Sequence, residues 1–431
     1  MILSPLRAQV SARLRLAKFQ FVGQGWAFYK MWLIFLLPAK SLGRARAFCV
    51  LKSAFLLTFP AHRRILWSMS RPEFLAARDI NSRAETHASF SIPASTGNPV
   101  LDANLYDLSR RFCGEHSPDT VLQMLSTVMN AAASSLGEHS LEIMNRAIDE
   151  MFKADKMFEP YQNRRKIACF GSARIKETDP SYIQARSFCD LVTSQGYMVI
   201  TGGGPGLMQA CNEGATEAHS FGLNITLPFE QHPNPIMAGS DKMMNFYYFF
   251  TRKLNFLKES DALVAFPGGF GTMDEIFEAI TLIQTGKCTV FPVVLMDPPG
   301  ESFWHRWIHF IEKELLDAGL ISPEDMKLLY VSKDAEDAYH HISHFYSRYH
   351  SYYFDGDTLS IRLSHPMAES SLPWLREDFK DIMPLKDMVQ LEADHSDPDE
   401  RLGYLSRIKF TFKRGNYARL RELIDAVNDL D

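Results

Sequence analysis

Two glycine-rich segments, each placed between an apolar run and a helical pattern, constrain the fold of this chain more than any other feature. The first is TGGGPG at residues 201–206, which follows a strand-like run at residues 197–200. The second is PGGFGTMDE at residues 267–275, which follows an apolar run at residues 262–265 and leads into a helix. One such segment alone is as typical of a tight strand-to-helix connection as it is of a ligand site, whereas two of them favour a shared ligand site.

The two segments predict an anion site. Glycine has no Cβ, so backbone N–H groups at such a turn can approach a phosphate closely, and the helix N-terminus adds partial positive charge. The expected phosphate-binding residues are Gly202, Gly203, Gly204, Gly206, Gly268, Gly269, Gly271 and Thr272.

Strands and helices alternate through the middle of the chain. Strand patterns at residues 166–170, 197–200, 223–227, 262–265 and 290–296 alternate with helical patterns, and the last helical pattern lies near residues 303–316. This alternation predicts an α/β fold with a doubly wound, Rossmann-like parallel sheet, whose ligands bind at the carboxyl ends of the strands. We expect this nucleotide-binding catalytic domain to span residues 161–350.

The flanking segments have a different character. We expect a helical N-terminal segment at residues 85–160, with a helix over about 141–158 whose packed face contains Ile143, Ile148, Met151 and Phe152. A small α+β module is expected at residues 351–431, with a hairpin around Asp355-Gly356-Asp357 and a closing helix at residues 417–427. Packing or dimerisation is the simplest role for that module.

Charge is distributed unevenly along the 431 residues. Residues 1–84 carry 14 Lys and Arg against two acids, a net charge of +12, and the rest carries 32 basic and 49 acidic residues, a net charge of −17. The strongly acidic charge of residues 85–431 argues against general nucleic-acid binding. The six cysteines show neither a CxxC pair nor a His–Cys metal spacing, so we expect free thiols in a cytoplasmic protein, with no metal and no cofactor.

The basic leader at residues 1–84 has three interpretations. Its apolar runs are interrupted by Lys30, Lys40, Arg44, Arg46 and Lys52, so none reaches the ~18–20 residues of a membrane-spanning helix. It has the composition of a membrane-surface helix or of an organellar signal. Alternatively, translation starts at Met69, and residues 1–68 are not part of the protein. Contact with a membrane surface is expected only if the leader is translated.

The motifs resemble those of a known family. PGGFGTMDE, the Arg252-Lys253 pair upstream of it and TGGGPGLM together are similar to the Lonely Guy family, over roughly residues 160–350. The family motif PGGxGTxxE is matched from Pro267 to Glu275. The resemblance implies a phosphoribohydrolase that cleaves the N-glycosidic bond of a nucleoside 5′-monophosphate, with Arg252 and Glu275 as catalytic residues. It also implies a homodimer or higher assembly, with active sites near the subunit contact.

The residues themselves allow more than one role. A carboxylate at Glu275 would stabilise an oxocarbenium-like ribose or activate water, but an acid in the first turn of a helix can also serve only the helix dipole. Arg252 could hold a phosphate in bidentate fashion or orient Glu275. Lys253 and Ser172 are possible further site residues, and Lys253 could equally face solvent.

Other functions are less consistent with the sequence. A non-catalytic carrier of a nucleotide or molybdenum cofactor would use the same glycine turns but would not need Glu275. A pyridoxal-dependent decarboxylase would need a strand, lysine and histidine arrangement that we do not find. The turn GSAR at residues 171–174 lacks the GxGxxG pattern of a dinucleotide-binding dehydrogenase. The base of the substrate is not encoded in any motif.

Overall fold

The computed structural model describes residues 95–113, 117–228, 232–393 and 397–430. The leader at residues 1–84 lies outside the described residues, so the three interpretations of it stay predictions. The described residues all belong to one compact unit. No helix in the described part of the chain has the length and apolar character required to cross a membrane.

The described residues contain a seven-stranded parallel sheet and a four-stranded antiparallel sheet. The helices are α1 Pro99–Cys113, α2 Pro118–Ala133, α3 Glu138–Phe158, α4 Pro180–Ser194, α5 Leu207–Ala215, α6 Phe249–Lys258, α7 Phe270–Gln284, α8 Phe303–Ile311, α9 Ala335–Phe345, α10 Leu372–Asp378 and α11 Tyr417–Asn428. The strands are β1 Lys166–Phe170, β2 Met198–Thr201, β3 Ser220–Ile225, β4 Met243–Phe246, β5 Ala262–Ala265, β6 Val293–Met296, β7 Leu329–Ser332, β8 Tyr349–Asp355, β9 Thr358–Leu363, β10 Val389–Leu391 and β11 Ser406–Thr411.

The large sheet has the strand order β4-β3-β2-β1-β5-β6-β7, which confirms the predicted doubly wound α/β fold. The chain builds outward from β1 to β4, then returns and builds outward from β5 to β7 on the other side. The order therefore reverses between β1 and β5, and the crevice at their carboxyl ends is where such sheets bind ligands.

Both faces of this sheet are buried, as its nearly continuous apolar strands require. In β1, Ala168 and Phe170 belong to one hydrophobic core, whereas Ile167 and Cys169 belong to the core on the opposite face. The first core also includes the C-terminal sheet through residues such as Ile361 and Ile408. The C-terminal residues thus pack against the α/β part, while the predicted domain boundaries remain predictions.

Several predicted elements differ from the structure. Strand β4, strand β7 and helix α9 were not predicted, and β3 begins at Ser220 rather than near residue 223. The predicted hairpin is confirmed, because β8 and β9 pair on either side of Gly356.

The predicted packed face of α3 is wrong in part. Ile148 and Phe152 are exposed, and the helix instead buries Glu150, Ala154 and Phe158. Apolar spacing alone did not identify this face, because a carboxylate lies in its centre.

Candidate active site

A cavity of about 780 Å³ opens at the carboxyl ends of β1, β2 and β5. It lies at the reversal of strand order, as the fold predicts. Four segments form its walls: the turn after β1, the start of the turn after β2, the first turn of α6, and the turn that leads from β5 into α7. Met208, in the helix α5, completes the lining.

The turn after β2 contributes mainly to packing. Gly202 lines the cavity, and a Cβ there would lie 2.8 Å from Arg252 Nη2. Gly206 has a φ of +69°, and a Cβ at this position would lie 2.5 Å from the carbonyl oxygen of Ser172. Gly203 packs against Met243, and the carbonyl of Gly204 accepts a hydrogen bond from Asn234. Of the four glycines predicted here, the structure therefore brings Gly202 to the site and uses Gly203, Gly204 and Gly206 to hold neighbouring loops together.

The turn after β5 delivers a helix N-terminus to the cavity. Helix α7 begins at Phe270, and Gly268, Gly269, Gly271 and Thr272 all line the cavity. The side chain of Thr272 folds back over Gly268, so that a Cβ on Gly268 would lie 2.1 Å from the Oγ1 of Thr272. By contrast, no atom lies within 4 Å of the Cβ positions of Gly269 and Gly271. The first N–H groups of a helix have no partner within the helix, so this end of α7 offers donors to an anion.

Arg252 and Glu275 meet at the wall of the cavity. Arg252 Nη1 lies 4.0 Å from Glu275 Oε1. The Arg252 Nε–H donates to the carbonyl of Leu223 at 2.7 Å, and its guanidinium lies 5.0 Å from the centre of the Phe256 ring. These contacts fix the plane of the guanidinium and leave its Nη groups near both Gly202 and Glu275.

Burial makes Glu275 an unusual carboxyl group. Its side chain is 6% exposed, and burial raises its pKa to about 7, although the charges of Lys253 and Arg252 oppose that shift. An acid with a pKa near neutrality can hold or release a proton at physiological pH, which is the property needed for acid–base catalysis.

Lys253 does not face solvent. Its ammonium lies 3.0 Å from Asp274, 3.8 Å from Glu275 and 2.7 Å from Glu278. It is not among the residues that line the cavity. Lys253 therefore acts on the site by balancing the charge of three carboxylates on the first turns of α7.

Ser172, predicted as a possible site residue, lines the cavity, and its Oγ accepts a hydrogen bond from the N–H of Arg174. Arg174, Phe249 and Phe270 also line the cavity, but they were not predicted as site residues from the sequence. Phe249 and Phe270 add aromatic surface, and Phe270 is 96% exposed. The position of Phe270 inside the PGGFGT segment could have indicated its place. The others required knowledge of which turns converge.

Three cysteines meet in the core, away from the residues that line the cavity. The sulfur atoms of Cys169, Cys189 and Cys211 all lie within 4.8 Å of one another, which sequence spacing did not predict. Burial raises the pKa of Cys169 and Cys189, whereas the pKa of Cys211 is lowered to about 5, because its hydrogen bonds with these two thiols outweigh its burial. The five cysteines in the described ranges are free.

Part of the chain is similar to known proteins. Residues 208–342 match a family described as "Possible lysine decarboxylase". The cytokinin riboside 5′-monophosphate phosphoribohydrolase LOG7 of Arabidopsis thaliana is 28% identical over 184 residues, which are 42% of this chain and 82% of the relative. The cytokinin riboside 5′-monophosphate phosphoribohydrolase of Mycobacterium tuberculosis is 40% identical over 80 residues, which are 18% of this chain and 40% of the relative.

A similar solved structure is the molybdenum cofactor carrier protein of Chlamydomonas reinhardtii. It is 23% identical, matches 42% of this chain and 96% of the carrier, and has a TM-score of 0.30. A similarity this distant says nothing about function.

The sheet order and the position of its cavity define an α/β protein of the Rossmann-like type. Within that class, the glycine motifs and the matched relatives make the α/β part of this chain similar to the Lonely Guy family.

Proposed function

We propose that this protein hydrolyses the N-glycosidic bond of a nucleoside 5′-monophosphate and releases the free base and ribose 5-phosphate. The observation that carries the proposal is the position of Glu275, a buried carboxyl one turn into α7, at the wall of a cavity that also contains Arg252 and the start of that helix. The relatives named as phosphoribohydrolases support it.

The proposed mechanism assigns binding and chemistry to different groups. The N–H groups at the start of α7 and the guanidinium of Arg252 would bind the 5′-phosphate. As the bond between C1′ and the base breaks, positive charge develops on the ribose, and the ionised Glu275 would stabilise it. Water adds to C1′ and gives a proton to Glu275, the base leaves with the bonding electrons, and Glu275 then returns that proton through solvent to the departing base. The products are one base and one ribose 5-phosphate.

A binding function alone does not account for Glu275. A carboxylate near an anion site weakens anion binding, and burying it without a full partner costs free energy. A carrier of nucleotide or molybdenum cofactor would therefore gain from a neutral residue at this position. We infer that the carboxylate is retained for chemistry.

The decisive assay is turnover of a panel of nucleoside 5′-monophosphates, with free base and ribose 5-phosphate quantified together. Adenosine is the matched substrate without phosphate, and Glu275→Gln is the matched protein without the carboxylate. We expect a monophosphate to be turned over far faster than its nucleoside, because each charge-assisted contact is worth ~1.5–3 kcal/mol. Equal turnover of AMP and adenosine would contradict the proposed phosphate site, and tight binding of every nucleotide without turnover would favour a carrier.

We further propose that the protein acts as a homodimer or higher assembly. Tyr247, Phe249 and Phe250 are each about half exposed, and Phe270 protrudes almost completely into solvent beside the cavity. Phe246, in contrast, is buried and belongs to the core. Apolar surface of this kind at a cavity rim is typical of an interface. A fully active monomer in light scattering at assay concentration would refute this proposal.

A further inference from the structure

Helix α3 lies outside the part of the chain that matches the family, yet it runs along α6, the helix that carries Arg252. The guanidinium of Arg146 stacks 4.2 Å from the ring centre of Tyr247, just before α6 begins. Near the other end, Asp155 of α3 pairs with Lys258. The two helices are therefore joined at both ends of α6.

Glu150 occupies the centre of this contact. Its side chain lies on the buried face of α3, and the residue is 5% exposed. One carboxylate oxygen accepts the backbone N–H of Tyr247 at 2.7 Å, and the other accepts the hydroxyl of Thr251 at 2.5 Å. In the described ranges, no Lys, Arg or His forms an ion pair with Glu150.

A buried carboxylate without a cation is costly, so its place needs a physical reason. Both of its donors lie at the start of α6, where the partial positive charge of the helix stabilises an anion. Thr251 directly precedes Arg252. The carboxylate therefore holds the first turn of α6 at the residue before the arginine.

The contacts of Arg252 tolerate little movement of α6. Its Nε–H is bonded to the Leu223 carbonyl at 2.7 Å, and its Nη1 already lies 4.0 Å from Glu275. Hydrogen bonds weaken steeply with distance and angle. A displacement of about 1 Å in a site can cost on the order of 10²-fold in rate.

We propose that Glu150 is a positioning residue that sets Arg252 for phosphate binding by fixing the first turn of α6. The proposal rests on the proposed function where it concerns catalysis, but the position of Arg252 can also be measured by binding alone. It assigns to the added N-terminal helix a role in the nucleotide site.

The test uses Glu150→Gln in the full chain, because glutamine keeps the shape and can accept only one of the two hydrogen bonds well. We expect kcat/KM for the nucleotide and affinity for AMP to fall about 10-fold, the lower end of the loss seen when a partner that orients a metal ligand is removed. Thr251→Val removes the hydroxyl that donates to Glu150 and should lower the same two quantities. Asp155→Asn is the matched control, since it cuts the exposed contact between the same two helices and should stay within about twofold of the wild type.

A double-mutant cycle with Arg252→Lys separates positioning from general damage. Lysine keeps a cation, so AMP binding stays measurable by calorimetry, but it loses the Nε–H bond to Leu223. If Glu150 acts through Arg252, adding Glu150→Gln to Arg252→Lys should change AMP affinity by less than about twofold.

Three results would overturn the proposal: additive losses in the cycle, an unchanged affinity in both Glu150→Gln and Thr251→Val, or an equal loss in Asp155→Asn. If Glu150→Gln fails to fold, a double-mutant cycle that pairs Thr251→Val with Arg252→Lys tests the same coupling. Absence of turnover in the wild-type chain would instead refute the proposed function, and the AMP affinities would still report on Glu150.

Discussion

Replacing Glu275 by glutamine should make the protein more stable at high pH while removing its activity. The ordinary pKa of a glutamic acid is 4.5, and burial raises that of Glu275 to about 7. Between these two values the unfolded chain has lost its proton and the folded chain keeps it. The folded state therefore loses stability from this group as pH rises from 4.5 to 7, and the full cost applies above pH 7.

The magnitude follows from the shift. A difference of about 2.5 pKa units, at 1.36 kcal/mol per unit, corresponds to about 3 kcal/mol. Glutamine is neutral at every pH and does not carry this cost. We expect Glu275→Gln to exceed the wild type in free energy of unfolding by up to about 3 kcal/mol at pH 8, and to lose most of that advantage at pH 5. Its kcat should fall ~10²-fold or more while nucleotide binding survives.

The assay is denaturant unfolding of both proteins from pH 5 to pH 8, with turnover measured on the same samples. Asp274→Asn is the control for stability, because this carboxylate lies in the same turn but its side chain is 60% exposed. It should show little pH-dependent gain. Parallel stability curves for Glu275→Gln and wild type would refute the raised pKa, and near-wild-type kcat would refute the assigned chemistry.

Three further predictions concern the site and its surroundings. Lys253→Met removes a charge that lowers the pKa of Glu275, so the acid limb of the pH profile of kcat/KM, expected near pH 7, should move to higher pH; an unmoved limb would argue against Glu275 as the titrating group. Gly271→Ala should keep or raise Tm, since alanine favours a helix by up to ~1 kcal/mol, but it should raise KM because its methyl enters the cavity. Gly206→Ala should instead lower Tm, because its Cβ meets the backbone of the turn after β1. Equal effects of the two substitutions would contradict the distinct roles of these glycines. Phe250→Glu should shift the assembly toward monomers in light scattering, and an unchanged mass would exclude this surface from the interface.

The sequence was sufficient to predict the fold class and the central part of the site. The strand at β1 was predicted with its observed ends, because four consecutive apolar residues follow Lys166 and all five positions are buried. Glu275 and Gly268–Thr272 are local to one turn, so their proximity needs no tertiary information. Arg252 was placed only by the family resemblance, since its contact with Glu275 joins two helices.

Tertiary contacts explain what sequence could not predict. Strand β4 lies at the edge of the sheet and is partly exposed, so its apolar signal is weak. Gly203, Gly204 and Gly206 look like a phosphate turn, but Met243, Asn234 and the turn after β1 fill the space around them. Glu150 resembles any surface acid of an amphipathic helix until its partners on α6 are known.

The strand order also determines when the cavity at the carboxyl ends of β1, β2 and β5 can form as the chain is made. Strand β1 pairs with β5, and the Lys166 N–H donates to Asp261, 95 residues later in the chain. Until β5 has been synthesised, the inner edge of β1 has no strand beside it, which is a hazard for aggregation. Residues 208–342 alone would lack β1 and β2, the strands between β3 and β5. We therefore expect that residues 208–342, which match the family model, do not fold by themselves.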